Sequence, residues 1–252
     1  MDQTIELSAI ERDELLPTGR LRAAVAVGPA KSALWTIRGA DGGPEGVTVD
    51  LARALAERIG APLDLVEHAS SGAIIEAAGS DVWDVAFTPV DAERKGHVEF
   101  GNDYFLGEST CLVLEGSELS AMADADHEDV RIVGVENTAT IRSLRRAVTK
   151  AQAIGTTSLD EALAMLKEGK ADAIALGRES LKSLQADLPG SRILDGAFHQ
   201  AGTAIAVRKG RPAALAAICR FIEAAKADGT VRRALDAHAM AESDVAPAGS
   251  RS

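Results

Sequence analysis

The chain has 252 residues, of which 46% are hydrophobic, and its 27 lysines and arginines against 38 aspartates and glutamates give a net charge of −11. This length is enough for one or two compact domains, while the negative charge excludes the basic surface that nucleic acid or anionic lipid would need. The apolar runs fall short of the ~18 residues of a membrane-spanning helix, so membrane insertion is not expected.

The N-terminal sequence, MDQTIELSAIERDELL, is acidic and has neither the basic start nor the apolar segment of a secretion signal. Ile5, Leu7, Ile10 and Leu15 follow an ordered, helix-like pattern, which favours a native segment over a tag. Either a signal has been removed and a methionine added, or the protein is made without one. The compartment therefore stays open.

From residue 21 onward, apolar runs of strand length alternate with segments of helical periodicity. Leu51, Leu55 and Ile59 repeat on one helical face, and Gly60 follows as a stop. Strands are predicted at 21–27, 63–66, 85–90, 109–114, 132–135, 152–155, 171–176, 192–194 and 203–207, with further helices at 73–78, 140–148, 159–168 and 212–226. This alternation predicts an α/β fold with mostly parallel sheet covered by helices on both faces.

Two passages of the chain have similar patterns. Residues 74–87 and 163–176 each give a helix, a turn and a strand that begins with aspartate. Their spacing of ~90 residues indicates two lobes of similar build, because solenoid repeats recur every 20–50 residues. The acidic stretch 116–129 is typical of a surface loop, and the tail 241–252 has the composition of a disordered segment.

Metal and nucleotide motifs are missing from the sequence. The five histidines are scattered, without H-x-x-x-H or C-x-x-C spacing, so no metal site is predicted. Cys111 and Cys219 are predicted to be small buried apolar side chains. Glycine-rich phosphate loops and the G-x-S-x-G elbow are also missing, so we expect no cofactor.

The stretch 82–105, VWDVAFTPVDAERKGHVEFGNDYF, carries the most information about function. An apolar strand runs into a polar turn that contains Arg94, and the aromatic pair Tyr104-Phe105 follows. An arginine just past the end of a buried strand can bind a carboxylate with its planar fork of donors, and ligands of open α/β sheets bind at the carboxyl ends of strands. Taken alone, the same pattern also fits an ordinary surface arginine.

This stretch and four others resemble, in order, the family 3 solute-binding proteins, which are the periplasmic receptors of amino-acid ABC transporters. The four are LLPTGRLRAAVAVG (15–28), GVTVDLARALAERIG (46–60), GTAIAVRKG (202–210) and RFIEAAKADGTVRRALDAH (220–238). The resemblance implies a two-lobed, periplasmic-binding-protein-like type II fold. Lobe 1 would hold residues 1–107 and 203–240 and lobe 2 residues 108–202, with hinge crossovers near 108–111 and 199–203. It also implies a periplasmic monomer whose partner is an ABC transporter permease.

The resemblance assigns ligand-binding roles in lobe 1. Arg94 would clamp the ligand carboxylate. Pro89, with Thr88 beside it, stands where the family usually has a hydroxyl residue that binds the same group. Trp35 is the candidate for stacking on the ligand. Ser71 would line the cleft or belong to a helix cap.

In lobe 2 the resemblance points to Thr138, Ala139 and Thr140 at the start of a helix. Their hydroxyl groups and backbone amides would receive the ligand carboxylate, since a helix N-terminus is a ready anion site. Thr138 fits the role of a plain N-cap equally well.

Gly177 stands where amino-acid receptors of this family usually have an aspartate for the ligand's α-ammonium, and Arg178 and Glu179 follow. An ammonium buried without an anionic partner would be strongly penalised. Either Glu179 supplies the anion, or the ligand lacks a standard α-ammonium. In the second case Arg94 and Arg178 would favour an organic acid or dicarboxylate. Both residues after Gly177 also fit an exposed first helical turn.

The sequence therefore predicts a non-enzymatic receptor for a small carboxylate-bearing solute, an amino acid or a related organic acid. Cyclohexadienyl dehydratases resemble these receptors, so a prephenate or arogenate dehydratase-like lyase is the enzymatic alternative, with Glu179 or Glu136 as general acid. A detached ligand-sensing module, which would suit a cytoplasmic protein, is the third possibility.

Overall fold

The computed structural model describes residues 4–27, 32–241 and 243–252, which form two compact units. The first unit comprises residues 4–27, Ala33–Leu106 and Gly202–Ser252, and the second comprises Ser32 and Gly107–Ala201. The chain leaves the first unit between residues 106 and 107 and returns between residues 201 and 202. The predicted lobes and hinges concern how such units move, so they stay predictions.

The strands, in chain order, are β1 (Leu21–Ala26), β2 (Ile37–Arg38), β3 (Pro44–Glu45), β4 (Leu63–His68), β5 (Val85–Pro89), β6 (Val98–Val113), β7 (Arg131–Val135), β8 (Gln152–Thr156), β9 (Ala173–Gly177), β10 (Arg192–Ile193) and β11 (His199–Arg208). The α-helices are α1 (Ala9–Leu15), α2 (Val47–Arg58), α3 (Ser71–Glu76), α4 (Met122–Ala125), α5 (Ala139–Ala147), α6 (Leu159–Lys167), α7 (Arg178–Gln185), α8 (Pro212–Ala227) and α9 (Thr230–Ala237). Short 3-10 turns occupy Ala77–Gly79 and Arg94–Gly96. The predicted α/β class, with mostly parallel sheet flanked by helices, is confirmed.

In the first unit, β1 lies between β4 and β5 and is parallel to both, while β11 is antiparallel to β5. Each face of this sheet has its own apolar core. One core packs α2, α8 and α9 against the sheet and includes the fully buried Leu55 and Phe221. The other includes Trp83 and Ile74 of α3. Burial on both faces explains why these strands are nearly continuous apolar runs.

In the second unit, β7 lies between β8 and β9 and is parallel to both, and the second half of β6 is antiparallel to β9. Ile141 and Leu144 of α5 pack in one core, and the apolar side chains of α6 and α7 pack in another. Cys111 is fully buried in the first of these cores, as predicted. Cys219, in the first unit, is only half-buried, because the alanine-rich helix α8 places it beside Arg251, whose Nη2 lies 3.3 Å from its Sγ.

The similarity of the passages 74–87 and 163–176 has a structural counterpart. Arg22 on β1 forms a two-pronged ion pair with Asp84, at 2.7 and 3.0 Å, and Arg131 on β7 forms the same pair with Asp172, at 2.9 and 3.0 Å. In both cases the aspartate amide donates to the arginine carbonyl oxygen at 2.8 Å. Each aspartate precedes a central strand, so the two units use the same bidentate fork to hold neighbouring strands in register.

β6 is one continuous strand from Val98 to Val113, whereas the sequence predicts a strand only at 109–114. The first half of the strand is not predicted because the polar residues Glu99, Asn102 and Asp103 interrupt its apolar pattern. Asp103 is nevertheless fully buried. β11 likewise begins at His199, earlier than predicted.

The tail differs from its predicted disorder. Ser243 and Ala246 are buried, and Val245 forms a β-bridge with Phe105. Small residues give this segment the composition of a disordered chain, but they also let it pack closely against β6.

The N-terminal helix α1 is anchored to α8 by an ion pair. Ser8 and Glu11 form a capping box, and Glu11 also accepts a hydrogen bond from Arg220 at 2.6 Å. That bond lowers the pKa of Glu11 from 4.5 to about 2. The folded protein therefore keeps this carboxylate ionised at a pH where the unfolded chain would protonate it.

We expect the contribution of Glu11 to stability to be complete above pH 4.5 and to disappear as the pH falls toward 2. The Arg220 side chain is half exposed, so the contribution should stay below about 1 kcal/mol. Urea unfolding of the native protein and of Glu11→Gln should therefore differ at pH 7 and converge at low pH. A difference that does not change with pH would contradict this origin.

Candidate functional site

Arg94 lies in the turn after β5 and is almost completely buried, with 3% of its surface exposed. Its Nη1 donates to the Thr88 hydroxyl at 2.5 Å and to the Pro89 carbonyl oxygen at 3.2 Å, and its Nη2 donates to the Ser71 hydroxyl at 2.8 Å. The structure thus brings together four of the predicted site residues. Pro89 contributes its carbonyl oxygen, which takes part although the expected hydroxyl is missing.

The turn that positions Arg94 is encoded locally. The Asp91 side chain accepts a hydrogen bond from the Glu93 amide at 2.8 Å, and the Asp91 carbonyl oxygen accepts from the Lys95 amide at 3.1 Å. Asp91 therefore stabilises the turn through its own side chain, as aspartate commonly does. These bonds bend the chain sharply after β5 and return Arg94 to the end of the strand.

The two serines that follow β4 make different contacts. Ser70 caps α3, since its side chain accepts a hydrogen bond from the Ala73 amide at 3.1 Å. Ser71 follows as the first helical residue, and its hydroxyl oxygen is the partner of Arg94. Ser70 therefore forms the cap and Ser71 contacts Arg94, while the role of Ser71 in lining a ligand cleft stays a prediction.

These contacts determine what the Arg94 side chain can do. The three partners above are oxygens of the surrounding turn and helix, and their hydrogen bonds orient the guanidinium. A buried, oriented guanidinium is suited to bind a carboxylate through two parallel N–H···O bonds. It lies where β5 ends, at the edge of an α/β sheet at which ligands bind.

Trp35 lies outside the group that binds the Arg94 guanidinium. Its side chain is half-buried against the large core of the first unit, and its carbonyl oxygen accepts a hydrogen bond from the Thr48 hydroxyl at 3.0 Å. Gly46 makes this approach possible: its φ of 137° suits glycine, and a Cβ there would strike the carbonyl oxygens of Ala33 and Trp35. The stacking role of Trp35 stays a prediction.

His68 is a residue of this edge that the sequence interpretation passed over. It ends β4 in register with Ala26 of β1. Burial lowers the pKa of its imidazole, and its Nε2 is buried without a hydrogen-bond partner among the described residues. Its position two residues after the predicted strand 63–66 was the signal that could have singled it out among the scattered histidines.

In the second unit, Thr138 is the N-cap of α5. Its hydroxyl oxygen accepts from the Ile141 amide at 3.3 Å and donates to the Val135 carbonyl oxygen at 2.7 Å. Thr138 is therefore the N-cap, which is one of the two roles considered for it. Ala139 and Thr140 form the half-buried first turn of the helix, where amides and a hydroxyl group could receive an anion.

Gly177 ends β9 and precedes α7, and a Cβ at this position would lie 3.9 Å from the Glu108 carbonyl oxygen. Arg178 is engaged within the second unit: its Nε donates to Glu108 Oε2 at 2.8 Å, and its Nη2 donates to the Gly196 carbonyl oxygen at 2.7 Å. Glu179 is largely buried and pairs with Lys182 at 3.3 Å.

Glu108 is the second residue that the sequence interpretation missed. It lies on β6 next to Ser109, which pairs with Gly177 across the two strands. Its carboxylate is 41% exposed and neutralises Arg178. The expectation that Arg178 attracts a second carboxylate of the ligand therefore loses its main support, while a partly open carboxylate stands beside the position that lacks an aspartate.

Among the described residues, no group of three or more His, Cys, Asp or Glu side chains could hold a metal ion. The part of the chain that the structure describes also contains no helix long and apolar enough to cross a membrane.

The amino-acid sequence is similar to those of known proteins. The family model of the bacterial extracellular solute-binding proteins, family 3, matches residues 25–240. A curated glutamine-binding protein of Geobacillus stearothermophilus is 23% identical over 160 residues, which are 62% of this chain and 61% of that protein. The chain thus spans less than two thirds of this relative.

Two solved structures are similar in fold. Holo ArgBP from T. maritima superposes with a TM-score of 0.72 at 22% identity and covers 88% of this chain and 98% of its own. An ancestral amino acid-binding protein, a precursor of cyclohexadienyl dehydratase, superposes with a TM-score of 0.73 at 22% identity and covers 90% of this chain and 97% of its own. At this identity the likeness concerns the fold.

Proposed function

The chain belongs to the bacterial extracellular solute-binding proteins of family 3, and on this premise we propose that it is the receptor of an ABC-type transporter. It binds a small carboxylate-bearing solute, closes over it and delivers it to a membrane permease. A periplasmic location follows from this role. The observation that carries the proposal is Arg94, a buried guanidinium that hydrogen bonds orient at the end of β5.

The ligand class that we propose is an amino acid. Its carboxylate binds Arg94, and Glu108 is our candidate partner for an α-ammonium. Glu108 supports this because Arg178 occupies only Oε2 in the bonds above, and the carboxylate is partly open. Glu179 is less suitable, since it is largely buried and paired with Lys182. The glutamine-binding relative agrees with this class.

A thermal-shift screen of amino acids, matched hydroxy acids, dicarboxylates and polyamines tests the receptor. A ligand that binds only the native state raises the melting temperature by mass action, equivalent to about 2.7 kcal/mol at a hundredfold excess over Kd. We expect at least one amino acid to produce such a shift. If polyamines alone shift the melting temperature, the ligand needs no carboxylate and the proposal is wrong.

Calorimetry with the best amino acid and its matching hydroxy acid tests the role of Glu108. We expect the native protein to prefer the amino acid by about tenfold or more, ~1.4 kcal/mol, and Glu108→Gln to lose that preference because a neutral amide cannot pair with ammonium. Glu118→Gln removes an exposed carboxylate of the same unit and should keep it. Equal or tighter binding of the hydroxy acid by the native protein would mean that the ligand lacks an α-ammonium.

Glu136, one of the two candidate general acids, gives the enzymatic alternative little support. A general acid must be protonated near neutral pH, whereas the hydrogen bond from Arg145 holds the pKa of Glu136 below its usual range. Turnover of prephenate or arogenate would favour the enzyme over the receptor. Adjacency of the gene to permease genes would favour the receptor over a detached cytoplasmic sensor.

A further inference from the structure

The C-terminal segment, residues 243–252, runs along β6 close to the point where that strand leaves the first unit. Val245 forms an antiparallel bridge with Phe105, and the Ala246 amide donates to the Tyr104 carbonyl oxygen at 3.1 Å. Ala246 is 2% exposed. The second unit begins two residues after Phe105. The segment therefore covers the last residues of this strand before the crossover.

The carboxylate of Asp103 fastens the end of the segment. Asp103 is fully buried on β6, and its Oδ2 accepts hydrogen bonds from the hydroxyl groups of Ser250 and Ser252, both at 3.0 Å. Its amide donates to the Ser250 carbonyl oxygen at 2.9 Å. Three hydrogen bonds therefore join the end of the segment to this one residue of β6.

Ser252 also contacts the returning strand. Its hydroxyl oxygen accepts from the Gly202 amide on β11 at 3.0 Å while it donates to Asp103. A hydroxyl group can do both at once, so a single side chain links the two strands that connect the units. A side chain at Gly202 would collide with the Asp103 carboxylate and the Ser252 hydroxyl, which explains glycine at this position.

Helix α8 holds the middle of the segment. Lys226 Nζ donates to the Pro247 carbonyl oxygen at 2.9 Å and to the Asp103 carbonyl oxygen at 3.2 Å. The Gly249 amide donates to Glu223 Oε2 at 3.0 Å. The segment is thus fixed at both ends and in its middle to the first unit.

We propose that the C-terminal segment is a latch on the two crossover strands, which sets how readily the strands bend when the protein opens and closes. This rests on the proposed function in one respect, the movement of the two units. If the bending near residues 106 and 201 extends into the first unit as far as Asp103 and Gly202, it moves these two residues relative to each other and strains the Ser252 bridge. The fastened latch favours the strand geometry in which both bonds form, and release populates other geometries.

The first measurement asks whether the serine contacts hold the segment. In ligand-free protein, Ser250→Ala combined with Ser252→Ala should speed hydrogen exchange of the Asp103 and Ala246 amides by at least about tenfold, because their protection depends on the packed segment. Asp244→Asn changes an exposed residue of the same segment and should leave exchange unchanged. Unchanged exchange in the double variant would overturn the latch.

The second measurement asks whether the latch controls the units. Spin labels at Arg53→Cys and Lys167→Cys, two exposed helical positions in different units, report their separation in a Cys219→Ser background. The double serine variant should broaden the ligand-free distance distribution, whereas the Asp244→Asn control should not. A released segment with an unchanged distribution would mean that the segment only covers the strand.

Both measurements use ligand-free protein. A failed ligand screen would therefore contradict the proposed receptor. The latch would still be tested by the hydrogen-exchange rates and by the distance distribution between the spin labels.

Discussion

Replacing Arg94 by alanine is expected to remove nearly all binding of the amino acid that the thermal-shift screen identifies. Truncating one partner of a buried, hydrogen-bonded charge pair costs about 2–5 kcal/mol, which corresponds to roughly 30-fold to several thousandfold in Kd. Arg94→Lys should also bind poorly, because an ammonium lacks the planar fork that donates two parallel bonds to a carboxylate. Titration calorimetry measures both variants.

The control for this prediction is Arg12→Ala, which removes the same charge from an exposed position of the first unit. It should bind like the native protein. Circular dichroism must show that Arg94→Ala is folded, because the substitution also takes the donors from Ser71 and Thr88. A folded Arg94→Ala protein with native affinity would show that the ligand carboxylate binds elsewhere.

Replacing Trp83 by alanine is expected to lower the free energy of unfolding by about 3–5 kcal/mol, the usual cost of emptying a buried aromatic site. Trp83 is fully buried in the smaller core of the first unit, and its indole Nε1 donates to the Ile74 carbonyl oxygen at 3.1 Å. The substitution therefore leaves both a cavity and a buried carbonyl group without its donor. Urea unfolding followed by circular dichroism gives the difference.

Val82 provides the matched control for Trp83, since it is the preceding residue and is 41% exposed. Val82→Ala should change the free energy of unfolding by no more than about 0.5 kcal/mol. A loss below 1 kcal/mol for Trp83→Ala would mean that the neighbouring side chains collapse into the space, and the assigned packing role would be wrong.

The sequence predicted the surroundings of Arg94 because they are encoded over a short stretch. A strand, an aspartate turn and an arginine follow one another within ten residues, and local hydrogen bonds return Arg94 to Thr88 and Pro89. The alternation of strands and helices is local in the same sense, which is why the fold class could be predicted.

The contacts that could not be predicted join distant parts of the chain. Glu108 and Arg178 are 70 residues apart and meet only because β6 is antiparallel to β9. Asp103 is separated from Ser250 by 147 residues, and nothing near either residue indicates the other. Composition alone describes the tail as disordered because it records how few apolar residues are present, whereas the segment is held mainly by hydrogen bonds to β6 and β11.

The route of the chain also dictates an order of events during synthesis on the ribosome. Residues Gly107–Ala201 of the second unit follow one another without interruption, whereas β5 of the first unit pairs with β11, so that Ala86 meets Ala206 only after another 120 residues have been made. Since domains fold as they emerge, the second unit can finish first, while the first waits with an open sheet edge. Such an edge invites wrong pairing, so the vulnerable interval in the life of this protein lies before translation ends.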